Sequence, residues 1–362
     1  MTAIPAQFTG QAALVKQTAN AFDLRETAYT PRAFTEDDVV IEVEACGICG
    51  TDIHYITCGW GQHDQFPAIV GHEIVGRVVR AGKNTAHKLG ARVGFGAQCG
   101  SCRKCDNCNA GLESYCTGAY LSTYQGKTGD AVQPYTQGGY ADYYQGAGHF
   151  AIPIPEGLDS AVAAPLLCAG VTVYAPLKRY GAAEGKKVGI IGIGGLGHLG
   201  VQFAAALGAE VYAISSSDRK KGDAEKLGAK GYINASDVDA VLKEHKGSFD
   251  IILCTSDQND MPLNELYLPL LKTFGNFISV GVPDKGLPNI GGALLPGKSI
   301  TGSLIGSPSE LEDMFKLALE KNVRTWIETR PMKEATQAVN DMTAGKARYR
   351  YVLVNDNYVK QE

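Results

Sequence analysis

The chain has 362 residues, of which 44% are hydrophobic and 20% charged, and its formal net charge is −4. That length allows two domains that each bury a core, and the slightly acidic balance argues against the basic cluster of a nucleic-acid or membrane-surface protein. No apolar run reaches the roughly eighteen residues of a membrane-spanning helix, and residues 1–5 lack the pattern of a secretory signal. We therefore expect a cytoplasmic protein with neither nucleic acid nor membrane as a partner.

The order of elements along the chain predicts two kinds of domain. Residues 1–155 are rich in glycine and in short β-type runs, such as 39–43 and 74–79, which favours an irregular, mostly antiparallel β domain. From about residue 160 to 302, apolar strands alternate with helical stretches, which favours a parallel sheet wrapped by helices on both faces. We expect its strands at residues 187–193, 210–215, 249–255, 276–282 and 299–303.

The last part of the chain leaves that rhythm. Two helices, 309–321 and 332–344, and a strand, 349–354, are predicted after residue 307, and they are too short for a third domain. We expect this tail to return and pack on the β domain. The predicted domains are residues 1–158 with 304–362, which include a cysteine lobe at 99–117, and residues 159–303.

A glycine-rich turn follows the first strand of the second domain, and a helix over 198–207 follows the turn. Its residues are Gly192, Ile193, Gly194, Gly195, Leu196 and Gly197. In a Gly-x-Gly-x-x-Gly dinucleotide site, the first glycine permits the tight turn, the second admits the pyrophosphate, and the third lets helix pack on strand. The pyrophosphate then lies at a helix N-terminus, which favours an anion. A turn that serves packing only is the alternative for the hexapeptide alone, but its βαβ context favours a dinucleotide site.

The end of the next strand indicates which nicotinamide cofactor is bound. An NAD site usually has an acidic residue there, which accepts a hydrogen bond from the ribose 2′-OH. This strand ends instead in three hydroxyls, those of Ser215, Ser216 and Ser217. Asp218 and the cationic run 219–221 follow, and cations such as Lys220 suit a 2′-phosphate with up to about two negative charges. We therefore predict NADP(H); the alternative is a solvated helix start in which Asp218 contacts the ribose.

Four cysteines are crowded into fifteen residues with the spacing of a closed metal site. Cys-x-x-Cys turns hold sulfurs at the separation that tetrahedral zinc requires, and four thiolates leave no position for water. We therefore predict a structural zinc site formed by Cys102, Cys105, Cys108 and Cys116. Cys99 precedes the set and could compete as a ligand. If Cys99 replaced Cys116 as a ligand, Cys116 would be left without a metal partner, so we interpret Cys99 as a spare thiol.

A second candidate metal set is dispersed along the chain. The thiols of Cys49 and Cys168 and the imidazole of His72 would leave a fourth zinc position for water or substrate, as in catalytic sites. Dispersed ligands cannot be found by spacing alone, and a lone histidine beside an acid such as Glu73 is ordinarily a satisfied pair. Spacing therefore leaves this second metal set open.

A resemblance to a known family supports this metal set. Segments 47–54 (GICGTDIH), 71–76 (GHEIVG) and 164–174 (APLLCAGVTVY) resemble the signatures of the zinc-containing medium-chain alcohol dehydrogenases. The cysteine lobe and the glycine turn follow in that family's order and intervals. The serine triplet and residues 348–351 (RYRY) resemble its NADP-dependent cinnamyl alcohol dehydrogenase branch. The implied fold is α/β, with a Rossmann-type doubly wound parallel sheet domain and a GroES-like, mostly antiparallel β catalytic domain.

The resemblance implies a catalytic zinc site. It makes Cys49, His72 and Cys168 the zinc ligands, with Glu73 next to the metal as an alternate ligand. Asp52 would hold the other nitrogen of the ligand imidazole. Two further cysteines near the first ligand are interpreted as structural bystanders, namely Cys46 and Cys58.

The resemblance also implies a proton relay and cofactor contacts. Thr51 and His54 lie three residues apart and would face one way on a helix. They match the family's relay, in which a hydroxyl passes the proton through the cofactor ribose to an imidazole; a simple surface histidine is the alternative. Thr51 is also expected to contact the cofactor, as are Thr172 and Val282. Gly50 stands where the family often has a cationic residue on the pyrophosphate.

Together these implications favour one activity. Zinc polarises an alcohol or carbonyl oxygen, so we expect the reversible reduction of aromatic or medium-chain aldehydes to primary alcohols with NADP(H) and two zinc ions per chain. Relatives that reduce C=C or iminium bonds lack the hydroxyl that Thr51 supplies. The leading alternative is an NAD-dependent polyol or secondary alcohol dehydrogenase. A zinc ribbon that binds nucleic acid or protein is a further alternative, and the acidic net charge argues against it. Trp60 and Leu121 are candidate walls of an apolar pocket, and the alternative for either residue is a place in the core. Residues 301–307 resemble a segment at the family's dimer interface, so we expect a homodimer.

Overall fold

The structure is a computed structural model that describes residues 4–19, 21–61, 63, 65–283, 286 and 290–360. The chain divides into two units. The first consists of Met1–Cys168, Gly306–Leu319 and Arg324–Glu362, and the second of Ala169–Ile305 and Glu320–Val323. No single helix among the described residues is long and apolar enough to cross a membrane.

The boundary between the units lies at Cys168 rather than at residue 158. Hydrogen bonds explain the difference. The hydroxyl of Ser160 donates to the buried carboxylate of Glu44 (2.6 Å), and that of Thr325 donates to the carbonyl of Val162 (3.0 Å). The segment after residue 158 is therefore bonded to strands and loops of the first unit.

The described residues up to Cys168 form ten strands and three short helices. The longest strand, β3, is rich in Val and Ile and is buried along almost its whole length, as expected for a strand inside a sheet. The strands are β1 (Phe8–Ala13), β2 (Leu24–Tyr29), β3 (Asp38–Gly47), β4 (Ala68–Ile69), β5 (Ile74–Ala81), β6 (Arg92–Phe95), β7 (Gln98–Gly100), β8 (Leu121–Ser122), β9 (Tyr143–Ala147) and β10 (Ile152–Pro153). The helices are α1 (Gly50–Ile56), α2 (Asp106–Asn109) and α3 (Ser160–Ala163).

The second unit alternates helices and parallel strands, as the sequence predicted. Its elements are α4 (Ala169–Arg179), β11 (Lys187–Ile191), α5 (Gly197–Ala206), β12 (Glu210–Ser215), α6 (Lys221–Lys226), β13 (Gly231–Asn234), α7 (Val238–His245), β14 (Phe249–Cys254), α8 (Leu268–Leu270), β15 (Leu271–Ser279) and β16 (Ser299–Gly302). The six strands form one parallel sheet in the order β13-β12-β11-β14-β15-β16. The order reverses between β11 and β14, and ligands of such sheets bind at the carboxyl ends of the strands near that point. Strand β15 begins five residues before its predicted start at residue 276, and β13 was not predicted.

The tail completes the sheet of the first unit. It consists of α9 (Pro308–Glu320), β17 (Ile327–Pro331), α10 (Ala335–Thr343) and β18 (Arg350–Val354). Strand β18 pairs antiparallel with β3 and parallel with β17. The resulting seven-stranded sheet has the order β10-β6-β5-β3-β18-β17, with β9 also paired to β3. Apart from the β17–β18 pair, the pairings in this unit are antiparallel, so the mostly antiparallel prediction is confirmed.

Candidate active site and metal centres

Four cysteine sulfurs converge in the lobe that follows β7. The Sγ atoms of Cys102, Cys105, Cys108 and Cys116 all lie within 4.8 Å of one another. The sulfur of Cys108 is 3.5 Å from that of Cys105 and 3.9 Å from that of Cys102. Four sulfurs at the Zn–S distance of about 2.3 Å in a tetrahedral site are separated by about 3.8 Å. The spacing therefore fits a zinc ion.

Backbone N–H groups point at the sulfurs of this lobe. The N–H of Cys105 donates to the sulfur of Cys102 (3.3 Å), and the N–H of Cys102 donates to the sulfur of Cys116 (3.4 Å). A hydrogen bond from the backbone of Cys108 is the main reason why the pKa of the Cys105 thiol falls to about 5. Donors aimed at sulfur favour the thiolate, which is the form that binds a metal.

A second cluster of potential ligands lies in the first unit. It gathers Cys49, His72, Glu73 and Cys168, all buried, with their ligand atoms within 4.8 Å of one another. Cys49 is the N-cap of α1, Cys168 follows the 3₁₀ turn Ala164–Leu167, and the other two immediately precede β5. The Nε2 atom of His72 is 3.1 Å from the sulfur of Cys168. The structure thus brings together the set that sequence spacing alone could not define.

The carboxylate of Asp52 supports this cluster from behind. It is fully buried, and its Oδ1 lies 3.1 Å from Nδ1 of His72 and accepts a hydrogen bond from the N–H of Gly71 (3.1 Å). Its Oδ2 accepts from the N–H of Cys49 (2.9 Å) and from the hydroxyl of Tyr140 (3.0 Å). One carboxylate therefore fixes both the ring orientation of His72, with Nε2 facing the sulfurs, and the start of α1.

Two buried residues that were not predicted as site residues complete the site. The hydroxyl of Tyr124 lies 3.2 Å from Nδ1 of His72. The guanidinium of Arg350 donates to Oε1 of Glu73, and both side chains are buried. Arg350 belongs to the RYRY segment, whose resemblance indicates the family branch but gives this arginine no role. Tyr124 is a single tyrosine in a loop, for which the sequence offers no signal.

The electrostatics of the cluster fit a bound cation. A hydrogen bond from the thiol of Cys168 and the ring of His72 hold the pKa of Cys49 well below its usual value, whereas the hydrogen bond to Cys49 and burial raise the pKa of Cys168. Burial raises the pKa of Glu73 to about 7, against the opposing charge of Arg350. The pKa values of the two thiols therefore shift in opposite directions, as expected where one negative charge disfavours a second beside it. A divalent cation would allow both to ionise, and two thiolates with an imidazole are a donor set that zinc uses.

Helix α1 carries the residues of the implied proton relay. Thr51 and His54 lie one turn apart on this helix, as the relay required, and the hydroxyl of Thr51 is 3.7 Å from the sulfur of Cys49. The ring of His54 stacks on that of Trp60, with centroids 4.5 Å apart and planes 10° apart. Trp60 is 51% exposed, so it is not part of the core. Leu121 is partly buried and packs against the core of the first unit.

The glycine turn has the geometry of a strand-to-helix connection. Gly192 has φ of +83°, and a Cβ on Gly197 would lie 1.7 Å from the carbonyl oxygen of Gly192. Both positions therefore need glycine. A Cβ on Gly194 would meet nothing within 4 Å, so the backbone there is bare and could receive a ligand. Gly195 and Leu196 lie between it and the N-terminus of α5.

The serine triplet lies at the carboxyl end of β12. Ser215 is the last residue of that strand, Ser216 is exposed, and Ser217 precedes the 3₁₀ turn Asp218–Lys220. The amine of Lys220 donates to the carbonyl of Ile193 in the glycine turn (2.5 Å). The residues predicted to bind the pyrophosphate and the 2′-phosphate are therefore joined by a direct contact.

The remaining predicted residues are cysteines outside the two metal clusters and two expected cofactor contacts. Four cysteines among the described residues lie outside both clusters, namely Cys46, Cys58, Cys99 and Cys254. Cys99 is buried and its thiol donates to the carbonyl of Ser122 (3.2 Å), which agrees with its interpretation as a spare thiol. Thr172 is buried in α4, and Val282 is 56% exposed beyond the end of β15.

Comparisons with known proteins define the class of this protein. A family model described as alcohol dehydrogenase GroES-like domain matches residues 35–156, and one described as zinc-binding dehydrogenase matches residues 195–320. NADP-dependent alcohol dehydrogenase 6 of Saccharomyces cerevisiae is 42% identical over 344 residues, which cover 91% of this chain and 92% of that protein. The chain belongs to the zinc-containing medium-chain alcohol dehydrogenases.

Solved structures place the chain within that family. A cinnamyl alcohol dehydrogenase from Sorghum bicolor matches with a TM-score of 0.90 at 34% identity. The match covers 98% of this chain and 99% of the Sorghum chain. The Helicobacter pylori cinnamyl alcohol dehydrogenase complexed with NADP(H) has a TM-score of 0.87 at 30% identity, with 96% and 98% covered. The branch is that of the cinnamyl alcohol dehydrogenases, as the serine triplet and the RYRY segment predicted.

Proposed function

We propose that this protein reduces aldehydes reversibly to primary alcohols with NADP(H), and that Cys49, His72 and Cys168 hold its catalytic zinc. The observation that carries this proposal is the convergence of these three buried side chains around one point. Asp52 fixes the imidazole, and the hydroxyl of Thr51 lies beside the first sulfur. A closed four-cysteine site would hold a second, structural zinc.

Zinc with an exchangeable position supplies Lewis-acid polarisation of the substrate oxygen. The residues of the chain prepare that position. Asp52 keeps the proton of the imidazole on Nδ1, which leaves Nε2 of His72 free to bind. Arg350 holds the carboxylate of Glu73 at the edge of the cluster, where it is proposed as an alternate ligand. The hydroxyl of Thr51 moves a proton between the substrate oxygen and the relay that ends at His54.

The nicotinamide cofactor supplies the hydride. The bare backbone at Gly194 and the N-terminus of α5 would receive the pyrophosphate. The serine triplet and Lys220 would receive the 2′-phosphate. Thr172 and Val282 are proposed as further contacts. The NADP in the names of the yeast relative and of the Helicobacter pylori complex supports this choice of cofactor.

Features of the site and the names of relatives support the proposed substrate class. The half-exposed indole of Trp60 offers an apolar surface next to His54, which suits aromatic or medium-chain aldehydes. The names of the two cinnamyl alcohol dehydrogenases agree with that class. We also propose a homodimer, with residues 301–307 at its interface, which light scattering of the purified protein would test. The cytoplasmic location stays a prediction.

Metal analysis and a substrate panel test the proposal. The panel contains cinnamaldehyde, benzaldehyde and hexanal, each with NADPH and with NADH, and mannitol with NADP and with NAD. We expect two zinc ions per chain, one for each cluster, and a higher kcat/KM for the aldehydes with NADPH than with NADH. Turnover of mannitol with NAD and not of the aldehydes would contradict the proposal.

A pair of cysteine variants makes the test specific. Cys49→Ala should retain one zinc ion and lose turnover. Cys46→Ala is the matched control, because this buried cysteine lies three residues away and outside the cluster; it should keep both zinc ions and the native rate. A folded Cys49→Ala variant that reduced benzaldehyde at the native rate would show that the proposed site is wrong.

A further inference from the structure

The serine loop, defined here as residues 215–218, contains a charge that opposes its proposed ligand. Asp218 follows the serine triplet directly and is exposed. A carboxylate beyond the second strand of such a sheet accepts a hydrogen bond from the ribose 2′-OH of NAD, whereas it repels the 2′-phosphate of NADP. Cofactor preference therefore depends on where this carboxylate is held, and not only on the serines and the nearby cations.

Strand β13 supplies a side chain that holds it. The Nδ2 of Asn234 donates to Oδ2 of Asp218 (3.1 Å). Exchanging the oxygen and nitrogen of this amide by rotation would break a second hydrogen bond, because its Oδ1 accepts from the N–H of Ser236 (3.2 Å). The nitrogen therefore faces the carboxylate. Asn234 is also the register partner of Ser215, which places it beside the start of the serine loop.

A second side chain of the same strand holds the backbone of the loop. The hydroxyl of Tyr232 donates to the carbonyl of Ser217 (2.5 Å). Tyr232 and Asn234 are two residues apart, so their side chains leave the same face of β13. The two contacts act on different groups. The tyrosine fixes a carbonyl of the backbone, whereas the asparagine fixes only a charged side chain.

We propose that Asn234 is a positioning residue for cofactor discrimination, which holds the Asp218 carboxylate on the β13 side of the serine loop. The hydroxyls of the loop and the neighbouring cations are then left to receive a 2′-phosphate. Without the amide, the carboxylate rotates freely, accepts a hydrogen bond from a 2′-OH and opposes a 2′-phosphate. This inference rests on the proposed use of NADP(H).

Calorimetric titration with NADPH, NADH and 2′,5′-ADP tests the proposal without reference to turnover. Asn234→Ala should raise the Kd of NADPH and of 2′,5′-ADP by about threefold to tenfold, as expected for one like charge near a phosphate, and leave the Kd of NADH unchanged or lower. The difference should shrink at about 0.5 M salt because salt screens exposed charges. In an Asp218→Asn background, Asn234→Ala should have no effect.

Tyr232→Phe is the matched control, because it removes the other contact from the same strand and leaves the charge in place. Its effect on the Kd should be similar for NADPH and NADH, and should persist in the Asp218→Asn background. If Asn234→Ala weakened both cofactors equally, or kept its effect after Asp218→Asn, the proposed role of Asn234 would be wrong. If the wild-type protein bound NADH more tightly than NADPH, the proposed use of NADP(H) itself would fail.

Discussion

Replacing Asp52 by asparagine would separate its proposed support of a metal ligand from its support of the fold. The substitution keeps the size of the side chain, but an amide has one oxygen where the carboxylate has two. If that oxygen faces Gly71 and His72, the hydroxyl of Tyr140 can turn to accept from the new NH₂, but the N–H of Cys49 loses its acceptor. If it faces the other way, Nδ1 of the imidazole and the N–H of Gly71 lose theirs.

The hydrogen bonds of Asp52 indicate the size of two effects, a loss of folding stability and a loss of metal affinity. A buried N–H without an acceptor costs about 1–3 kcal/mol, and the surviving hydrogen bonds lose the strength that an ionised acceptor gives them. We expect the free energy of unfolding of Asp52→Asn to fall by roughly 2–4 kcal/mol. An imidazole without its carboxylate no longer keeps the proton on Nδ1, and the loss of such a partner typically lowers metal affinity by about 10–100-fold.

Urea unfolding and zinc release to a competing chelator measure the two effects. The control is Asp38→Asn, which removes a buried carboxylate of the same unit whose hydrogen bonds go to Arg32 and Thr35. Both variants should be destabilised, but only Asp52→Asn should release one of its zinc ions more readily. If the two variants released zinc at the same rate, Asp52 would have no role in holding the ligand imidazole.

Substitutions at three further positions test the cofactor and relay assignments. Gly50→Arg should lower the Kd of NADPH in a fluorescence titration, because a Cβ there meets nothing within 4 Å and the family often has a cation at this position; an unchanged Kd would dispose of the idea. Gly197→Ala should abolish NADPH binding, because its Cβ would lie 1.7 Å from the carbonyl oxygen of Gly192, and native affinity would contradict this. Thr51→Val should lower kcat by about 10²–10⁴-fold and Thr51→Ser much less; equal rates for the two would exclude the relay hydroxyl.

The fold and the local metal site could be predicted because their signals are local. Alternating apolar strands and helices define a parallel sheet, and Cys102, Cys105, Cys108 and Cys116 lie so close in sequence that their turns alone bring the sulfurs together. The boundary between the units differs from the predicted residue 158 because it depends on a long-range contact, which leaves no local signal in the sequence. The hydrogen bond of Ser160 to Glu44, which assigns that segment to the first unit, joins residues 116 positions apart.

The surroundings of the dispersed cluster could not be predicted because they depend on distant pairings. Arg350 reaches Glu73 because β18 pairs with β3 at the end of the chain, and the two residues are 277 positions apart. Tyr124 reaches His72 from a loop 52 positions away. Only a resemblance to a family identified the ligands themselves, and no periodic pattern marks the residues that support them.

The first glycine of the segment GICG has a physical reason that the resemblance did not supply. A Cβ on Gly47 would lie 1.9 Å from Oε2 of Glu73, a buried oxygen that makes no hydrogen bond among the described residues. Gly47→Ala must therefore displace the carboxylate that Arg350 holds at the metal cluster. Overpacking of a buried site typically costs about 1–3 kcal/mol.

Gly50→Ala, three residues away, is the matched control for Gly47→Ala. Its Cβ meets nothing within 4 Å, and alanine is favoured over glycine in a helix by up to about 1 kcal/mol. Urea unfolding should thus show that Gly47→Ala is less stable than the wild-type protein and Gly50→Ala equally or more stable. Zinc analysis should show weaker retention of one zinc ion only in Gly47→Ala. If the two variants had the same stability and zinc content, the carboxylate of Glu73 would be free to move, and its fixed position beside the cluster would not matter.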